Sequence, residues 1–382
     1  MACGAEKLLI SGHVYDASVI HHLCFIYADL CKRNVRWHSD LLTKHLLPFL
    51  EIVVVDAAVG DGHTVLLQSD GEVAAVGDNT HGQCTVPALP SLHVRYVKVA
   101  AGSSHTVLVR SDGIVEAFGE NDLGQCWIPP LPTGMIYTEA AAGCKHTLLL
   151  RSDGFVVACG AEAQCHGGFQ WSRWDQCHVR FLRCPPPLHY IGVRVGTFTS
   201  VLLRSDGAAL DLEELDEEGL LLNPEEPMLP LPRSGWHYVS ASPGHNHTVL
   251  IRNDGKAEAF GHPNWENEWT IPQLPAGLSY TAASAGSFHT MLLRSDGQVI
   301  AFGRDFEHNL PYPPTLPPGM KYIRIASRGS HYVLLRSDYQ VLILGADVGD
   351  GICCVPYSIS RLALAPAGSL DGDTRPLKRI RH

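Results

Sequence analysis

Residues 60–71 read Gly-Asp-Gly-His-Thr-Val-Leu-Leu-Gln-Ser-Asp-Gly, and close variants of this segment recur along the chain. The final Ser-Asp-Gly or a near copy places its aspartate at seven positions: Asp70, Asp112, Asp153, Asp206, Asp254, Asp296 and Asp338. The intervals are 42, 41, 53, 48, 42 and 42 residues. Their average of about 45 residues is typical of four-stranded propeller blades. The sequence therefore predicts seven copies of one structural unit.

Each copy has the internal pattern of short antiparallel strands. In the second copy, residues 96–102 alternate and then end in small residues, as an inner strand near a crowded axis would. Residues 105–110 form a second strand, and Asp112-Gly113 supplies the positive φ angles of a tight hairpin turn. Residues 127–129 fit a short outer strand, because proline is tolerated at a sheet edge. The predicted fold is all-β, a seven-bladed β-propeller of four-stranded blades.

The predicted domain organisation has three parts. Residues 1–50 do not follow the repeat and form a short helical N-terminal extension, with Asp16 and Asp40 as caps of two helices. Residues 51–366 form the propeller, and residues 367–382 form a basic C-terminal tail. The last repeat-like segment, residues 359–366, is expected to pack beside or complete the first blade, since ring closure removes exposed strand edges.

Composition narrows the class of protein. The chain has 382 residues, is 45% hydrophobic and 18% charged, and can bury a large core. Its formal charge of -10 disfavours direct nucleic-acid binding. No segment reaches the ~18 apolar residues of a membrane span, and twelve cysteines without a Cys-x-x-Cys pair favour a reducing compartment. We expect a cytoplasmic monomer, with the nucleus as an alternative because the tail is basic.

A histidine recurs at one place in six copies and is the leading catalytic candidate. These residues are His63, His105, His146, His247, His289 and His331. Equivalent positions in a ring lie about one-seventh of a turn apart and cannot converge on one substrate atom. We therefore predict that each imidazole makes a structural hydrogen bond across a turn or to a neighbouring blade, and that the repeated aspartates are turn residues. The fourth copy has Thr199-Ser200 instead.

One segment invites a metal interpretation. Between the third and fourth copies lie four cysteines and three histidines: Cys159, Cys165, His166, Cys177, His178, Cys184 and His189. Their spacing lacks the paired short intervals of structural zinc sites. The chain also has no phosphate-binding glycine loop, no Gly-x-Ser-x-Gly and no His-Glu-x-x-His. The sequence predicts no catalytic residue, no cofactor and no metal, and hence a protein that is not an enzyme.

The candidate partner-binding residues lie where the copies depart from regularity, because loops that interrupt a rigid scaffold are where recognition concentrates. They are Trp171, Arg173 and Trp174 in the first insertion, Glu213, Glu214, Asp216, Glu217 and Glu218 in the second, and the equivalent pair Trp127 and Trp269. Exposed Trp and Arg anchor protein interfaces, and an acidic run steers a basic partner. The alternatives are tryptophans packed over outer strands and a solvated acidic loop.

The repeated pattern resembles a known family over roughly residues 52–366. Gly-x-x-His-Thr-Val-Leu-Leu-x-Ser-Asp-Gly, followed by Gly-Asp-Asn-x-x-Gly-Gln and Val-Pro, is similar to the regulator of chromosome condensation repeat. The short period is closer to the compact blades of the bacterial β-lactamase inhibitor propeller and of some relatives of HECT-type ubiquitin ligases. This resemblance implies a seven-bladed propeller that serves as a binding platform, without identifying the partner.

The predicted function is a non-enzymatic protein-interaction scaffold whose contacts lie on blades three to five. One alternative is a guanine-nucleotide exchange factor for a small GTPase, the activity of the family's founder. Another is a substrate-binding component or truncated relative of a ubiquitin ligase, since only 16 residues follow Pro366 and no HECT domain fits there. The expected partner is accordingly a small GTPase, ubiquitin machinery or a basic peptide.

Overall fold

The computed structural model describes residues 52–91, 93–160, 179–197, 199–216, 220–223, 225, 227–232, 235–261, 270–303 and 312–345, and the backbone of residues 7–10 and 13–16. The chain divides into two compact units, one of Met1–Ile52 with Arg361–His382 and one of Val53–Ser360. The first unit contains an antiparallel hairpin of β1 (Lys7–Ile10) and β2 (His13–Asp16). This hairpin was not predicted. The helices predicted to follow Asp16 and Asp40, and the segment 359–366, lie outside the described residues.

The second unit contains seven antiparallel sheets, here called blades 1 to 7 in chain order. Blades 1 to 3 contain β3 (Val54–Val59), β4 (His63–Gln68) and β5 (Val73–Gly77); β6 (Tyr96–Ala101), β7 (His105–Arg110) and β8 (Val115–Gly119); and β9 (Tyr137–Ala142), β10 (His146–Arg151), β11 (Val156–Gly160) and β12 (Arg180–Leu182). Blades 4 to 7 contain β13 (Tyr190–Val195), β14 (Ser200–Arg204) and β15 (Ala209–Asp211); β16 (Tyr238–Pro243), β17 (His247–Arg252) and β18 (Ala257–Gly261); β19 (Tyr280–Ala285), β20 (His289–Arg294) and β21 (Val299–Gly303); and β22 (Tyr322–Arg328), β23 (His331–Arg336) and β24 (Val341–Gly345). The all-β, seven-bladed prediction is confirmed.

The predicted fourth strand forms in one blade of the described structure. In blade 3, β12 pairs with β11, whereas the other six sheets have three strands. The reason lies in the prolines of the outer segment, which cannot donate an N–H to a strand ladder. A tyrosine holds this segment instead: the Tyr96 hydroxyl donates to the Pro87 carbonyl at 3.0 Å, and Tyr137 donates to Pro129 at 3.1 Å. The outer segments of blades 5 and 6 are held by the same bond, with Tyr280 of blade 6 and Tyr322 of blade 7 as the donors.

The hydrophobic core is divided into layers between neighbouring blades. One layer joins Val65 and Leu67 of blade 1 to Tyr96 and Leu108 of blade 2. Further layers of the same kind lie between each following pair of blades. Blade 7 packs on blade 1 through two smaller clusters, one of which contains Leu335 beside Val54 and Leu66. The seven blades therefore form a closed ring.

The first strand of every blade faces a common central channel. Its cavity has a volume of about 580 Å³ and is lined by residues of all seven first strands. Each first strand begins at the end of the ring that carries the Ser-Asp-Gly turns, which we call the hairpin face. It ends at the Gly-x-x-His turns, on the opposite face. In the described residues no helix is long and apolar enough to cross a membrane.

Candidate interaction surfaces

Four of the six repeated histidines link neighbouring blades. All six are buried. The Nε2 atom of His63 in blade 1 lies 2.9 Å from the Thr106 hydroxyl of blade 2, and His105 lies 3.0 Å from Thr147 of blade 3. His146 reaches Ser200 of blade 4 at 2.7 Å, and His247 reaches Thr290 of blade 6 at 2.7 Å. A hydrogen bond from the imidazole to the next blade is therefore present for these four histidines, and Ser200 provides the hydroxyl in the fourth copy, whose own histidine is missing.

The direction of this bond follows from the threonine. The Thr106 hydroxyl donates its single proton to the Gln83 carbonyl at 2.7 Å, and Thr147 donates to Gln125 at 2.8 Å. These two threonine oxygens must then accept, so His63 and His105 carry their proton on Nε2. Blade 1 thus holds blade 2 with both a histidine and a carbonyl oxygen. We call this histidine–threonine–carbonyl unit the clasp.

Burial keeps the clasp histidines neutral. Desolvation, with the Arg328 charge as a smaller cause, lowers the pKa of His63 to about 4, of His105 to about 3 and of His146 to about 4. Desolvation also lowers the pKa of His247 to about 4. A neutral imidazole can donate through one nitrogen to the threonine, whereas a buried cation would lack compensation. These four side chains are therefore neutral links between blades.

The Ser-Asp-Gly turn also serves as a joint. In blade 2, the Ser111 hydroxyl accepts the backbone N–H of Arg95, and the Asp112 carboxylate accepts that of Ile114, both at 3.2 Å. Arg110 pairs with Asp112 at 2.5 Å. Serine, aspartate and arginine repeat these contacts in other blades, with Arg151–Asp153 at 2.7 Å as one example. The aspartates are turn residues, as predicted.

The glycine of this turn touches the next blade. Gly113 has φ +80°, and a Cβ there would lie 2.3 Å from the Cβ of Ile136. Its carbonyl accepts the N–H of Tyr137, the first residue of blade 3, at 3.1 Å. Blade 7 lacks this glycine and has Tyr339 with φ +63°. The joint between blades 7 and 1 therefore differs from the other six joints.

Arg328 occupies that last joint, and the sequence analysis missed it. It stands where the other copies have the glycine of Gly-x-x-His, and β22 continues through it before turning at Gly329. Its guanidinium is buried and donates to Asp61 of blade 1 at 2.8 Å and to the Ala142 carbonyl of blade 3 at 2.9 Å. It also lies 3.4 Å from the Ser103 hydroxyl of blade 2. The signal was the displaced glycine, since this copy reads Arg-Gly-Ser-His.

A set of exposed side chains lies at the start of the seven first strands, at the hairpin face. These residues, each following the first residue of a first strand, are Val55, Val97, Thr138, Ile191, Val239, Thr281 and Ile323, and we call them the mouth ring. All are β-branched, and the five apolar members are 36% to 51% exposed. Exposed apolar side chains at the same place in several blades mark an interaction surface. The sequence analysis did not single them out, because alternation alone does not say which strand end is solvated.

The acidic insertion forms an ordered turn in the residues that are described. A short 3-10 turn covers Leu212–Glu214, capped by the Asp211 carboxylate, which accepts the Glu213 N–H at 3.0 Å. Burial raises the pKa of Asp211 to about 7. Leu215 is buried and forms a β-bridge with Leu221. The described part of the insertion is therefore an ordered turn with buried leucines and partly exposed acidic residues.

The other predicted contact residues divide into two groups. Trp127 is described and its side chain is 61% exposed, and its backbone N–H donates to the Gly124 carbonyl at 3.0 Å. The remaining predicted residues lie outside the described part of the chain: Trp171, Arg173, Trp174, Glu217, Glu218 and Trp269. Of the cysteine and histidine series, Cys159 and Cys184 are buried. The described residues contain no group of His, Cys, Asp and Glu side chains arranged to hold a metal ion.

These features define a seven-bladed β-propeller whose blades are joined by one repeated set of contacts. Residues 54–83, 96–125 and 280–308 match the family model of the regulator of chromosome condensation (RCC1) repeat. The chain thus carries RCC1 repeats in three places. No curated protein matches the sequence significantly.

Solved structures of propellers resemble the fold. Human WBSCR16 has a TM-score of 0.57 at 17% identity, covering 74% of this chain and 87% of that one. Prp20p from Saccharomyces cerevisiae, described with its binding to Gsp1p and histones, has 0.58 at 18%, covering 80% and 84%. The CRINKLY ectodomain of the Arabidopsis thaliana receptor kinase ACR4 has 0.54 at 14%, covering 77% and 96%. At these identities the likeness is one of fold.

Proposed function

We propose that this chain is a protein-interaction scaffold that binds a partner protein through the mouth ring. The observation that carries the proposal is the exposure of five Val and Ile side chains in a circle on one face. The Arg–Asp pairs of the Ser-Asp-Gly turns, such as Arg252–Asp254 at 2.6 Å, lie farther from the axis on the same face. An apolar centre inside a charged rim is the usual anatomy of a protein interface.

The rigidity of the ring favours this use. β-Branched side chains have few rotamers, and each mouth-ring residue follows a residue that is buried in a layer between blades. A preorganised surface loses little conformational entropy when a partner binds. The partner should present a protruding apolar segment that contacts several blades at once.

Affinity capture tests the proposal. Tagged chain is used to recover partners from a lysate, with the double variant Val97→Glu/Ile191→Glu compared with wild type. The matched control is Ile114→Glu, which changes an apolar residue that is 50% exposed on the hairpin face but outside the ring. The partner should be lost with the double variant and kept with the control. Retention by the double variant, in a folded state by circular dichroism, would contradict the proposal.

A second candidate is nucleotide exchange on a small GTPase. Its support is the likeness of fold to Prp20p, whose described properties include binding to Gsp1p. Exchange requires a protein surface that favours the nucleotide-free GTPase, and no covalent chemistry. Capture in EDTA and in Mg-GTP separates the two candidates. Recovery of one small GTPase in EDTA alone, followed by faster GDP release with the purified chain, would favour exchange.

A further inference from the structure

A second apolar surface lies on the acidic insertion of blade 4. Leu220, Leu222 and Met228 are 52%, 56% and 59% exposed. Exposed large aliphatic side chains that are grouped on an ordered turn indicate a contact site, because a turn that only connects strands normally places polar residues outward. The mouth ring belongs to the first strands, so this surface is separate from it in the chain.

Backbone pairing explains why these side chains share one face. The N–H of Leu222 donates to the Glu214 carbonyl at 2.7 Å, and the N–H of Asp216 donates to the Leu220 carbonyl at 2.9 Å. Leu215 and Leu221 form the bridge between them. Both pack inward, Leu215 in the buried core between blades 3 and 4 and Leu221 against it. Alternation along extended backbone then places the residues on either side of this bridge outward.

Two carboxylates are held among these apolar groups. The Glu214 carboxylate accepts the Met228 N–H at 2.8 Å, and the Asp216 carboxylate accepts the Leu220 N–H at 2.8 Å. We call the set of Glu214, Asp216, Leu220, Leu222 and Met228 the acidic platform. Its hydrogen bonds fix the acidic groups relative to the leucines, so both kinds of contact are preorganised for one partner.

The charge of the segment decides what kind of partner fits. Residues 211–226 contain eight acidic residues and no Lys or Arg. Among the described residues, Arg180 of β12 brings a base against this segment, since it donates to the Leu215 carbonyl at 2.9 Å. The segment keeps a large negative charge. It attracts a cationic partner and repels an acidic one.

We propose that the acidic platform binds an extended protein segment in which aliphatic and basic residues alternate. Leu220 and Leu222 are two residues apart on extended backbone, about 6.7 Å along the strand direction, which matches side chains i and i+2 of an extended partner. The aliphatic side chains of the partner cover Leu220, Leu222 and Met228. Its lysines or arginines lie beside Asp216 and the other acidic residues of the segment. This inference rests on the proposal that the chain binds proteins, but it concerns a second surface and a different partner chemistry.

Binding of synthetic peptides to the full chain tests the inference. Three fluorescein-labelled peptides of equal length alternate leucine with lysine, leucine with glutamate, and serine with lysine. Fluorescence anisotropy is measured at low and at physiological ionic strength. The leucine–lysine peptide should bind at least about tenfold more tightly than either of the others. Equal binding of the serine–lysine peptide would overturn the inference, because charge alone would then explain the affinity.

Variants locate the binding on the platform. Leu220→Ser/Leu222→Ser removes the apolar contacts, and Glu214→Gln/Asp216→Asn removes charge while keeping acceptors for the two backbone N–H groups. Each pair should weaken the leucine–lysine peptide by about tenfold. The control is Glu72→Gln, an exposed acid on the hairpin face, which should leave binding unchanged.

The two proposals can fail independently. Unchanged peptide binding by both platform variants would overturn the acidic platform. It would leave intact the separate proposal that the mouth ring binds a partner protein, which is tested by Val97→Glu/Ile191→Glu. Urea midpoints of the variants, compared with wild type, show that a loss of binding does not come from unfolding.

Discussion

At the scale of single residues, the clasp shows how buried polar side chains can stabilise the protein interior through hydrogen bonds. Thr147 accepts from His105 and donates to the Gln125 carbonyl, so three elements depend on one hydroxyl. All three groups are buried. A buried donor that loses its partner costs more than the bond contributed, because water cannot replace the missing group.

Thr147→Val should therefore lower the free energy of unfolding by about 2–3 kcal/mol. Valine has nearly the same shape, so the loss comes from the two hydrogen bonds and not from a cavity. Urea unfolding followed by circular dichroism measures it. Thr147→Ser is the control, since blade 4 already uses Ser200 at the equivalent position. If the valine and serine variants unfold at the same urea concentration, the clasp does not stabilise the ring.

The sequence predicted much at this scale but missed residues without a repeat to reveal them. The sequence predicts a structural role for the histidine series because six equivalent imidazoles cannot share one substrate, but it leaves open whether each bonds across a turn or to the next blade. Arg328 has no counterpart in the other copies, and its partners come from three other blades. Contacts that depend on ring closure are not encoded in a local pattern.

At the scale of elements, the Ser-Asp-Gly turn combines a hairpin with a blade joint. A comparison of Gly113 with Gly134 separates backbone strain from steric clash, since both glycines have positive φ, +80° and +83°. A Cβ would strike Ile136 at Gly113 and meet nothing within 4 Å at Gly134. Backbone strain alone is thus compared with strain plus a steric clash.

Gly134→Ala should cost about 1 kcal/mol, the penalty of a left-handed conformation for a residue with a Cβ. Gly113→Ala should cost at least about 3 kcal/mol, because Ile136 must move away from the joint between blades 2 and 3. Thermal unfolding of the two variants under identical conditions gives the comparison. Equal shifts would show that the contact with Ile136 is relieved without cost.

The outer segments show where sequence reasoning at this scale falls short. Residues 127–129 were expected to form a strand because proline is tolerated at an edge, and the structure has no strand there. A tyrosine hydroxyl holds the carbonyl of the segment instead. The tyrosine lies in the first strand of the following blade, so a search for local strand propensity does not find this interaction.

At the scale of the whole molecule, the buried histidines make the ring sensitive to acid. Five of them, namely His63, His105, His146, His247 and His331, have a pKa lowered to about 3 or 4, mainly by desolvation. In the unfolded chain the pKa of each imidazole is about 6.5. Between pH 4 and pH 6.5 the unfolded state therefore binds more protons than the folded state. The free energy of unfolding that these histidines contribute is fully present above pH 6.5 and falls as the pH drops toward 4.

Each such histidine should remove about 2 kcal/mol of stability between pH 6.5 and 5. Together the five remove about 10 kcal/mol, which is comparable to the whole stability of an ordinary domain, about 5–15 kcal/mol. Asp211 acts in the opposite direction: because its folded pKa of about 7 is raised, its contribution is lost as the pH rises from about 4 through 7. Urea midpoints measured from pH 7.5 to pH 5 should fall steeply. Equal midpoints across that range would show that the imidazoles are solvated in the folded ring.

The joint between blades 7 and 1 depends on Arg328. Arg328→Gly restores the residue type of the other copies but removes the ion pair with the half-exposed Asp61 and the hydrogen bond to the Ala142 carbonyl. It should cost about 3 kcal/mol, since hydrogen bonds made by a charged group are among the stronger ones. Arg324→Gly is the control, because Arg324 is an exposed arginine of the same strand and should cost about 1 kcal/mol. Urea unfolding measures both. A smaller loss for Arg328→Gly than for the control would show that the two small apolar clusters suffice to close the ring.

The clasp and the turn glycine also determine how many blades the ring can contain. Each joint fixes the angle between two successive sheets, and the turn glycine makes the same contact with the next blade at six of the seven joints. An angle close to one-seventh of a circle, about 51°, closes after seven steps and after no other number. A chain that lost one complete repeat would keep its remaining angles and leave an open wedge. The number of blades is therefore specified locally, by the tilt that each joint imposes on the next sheet.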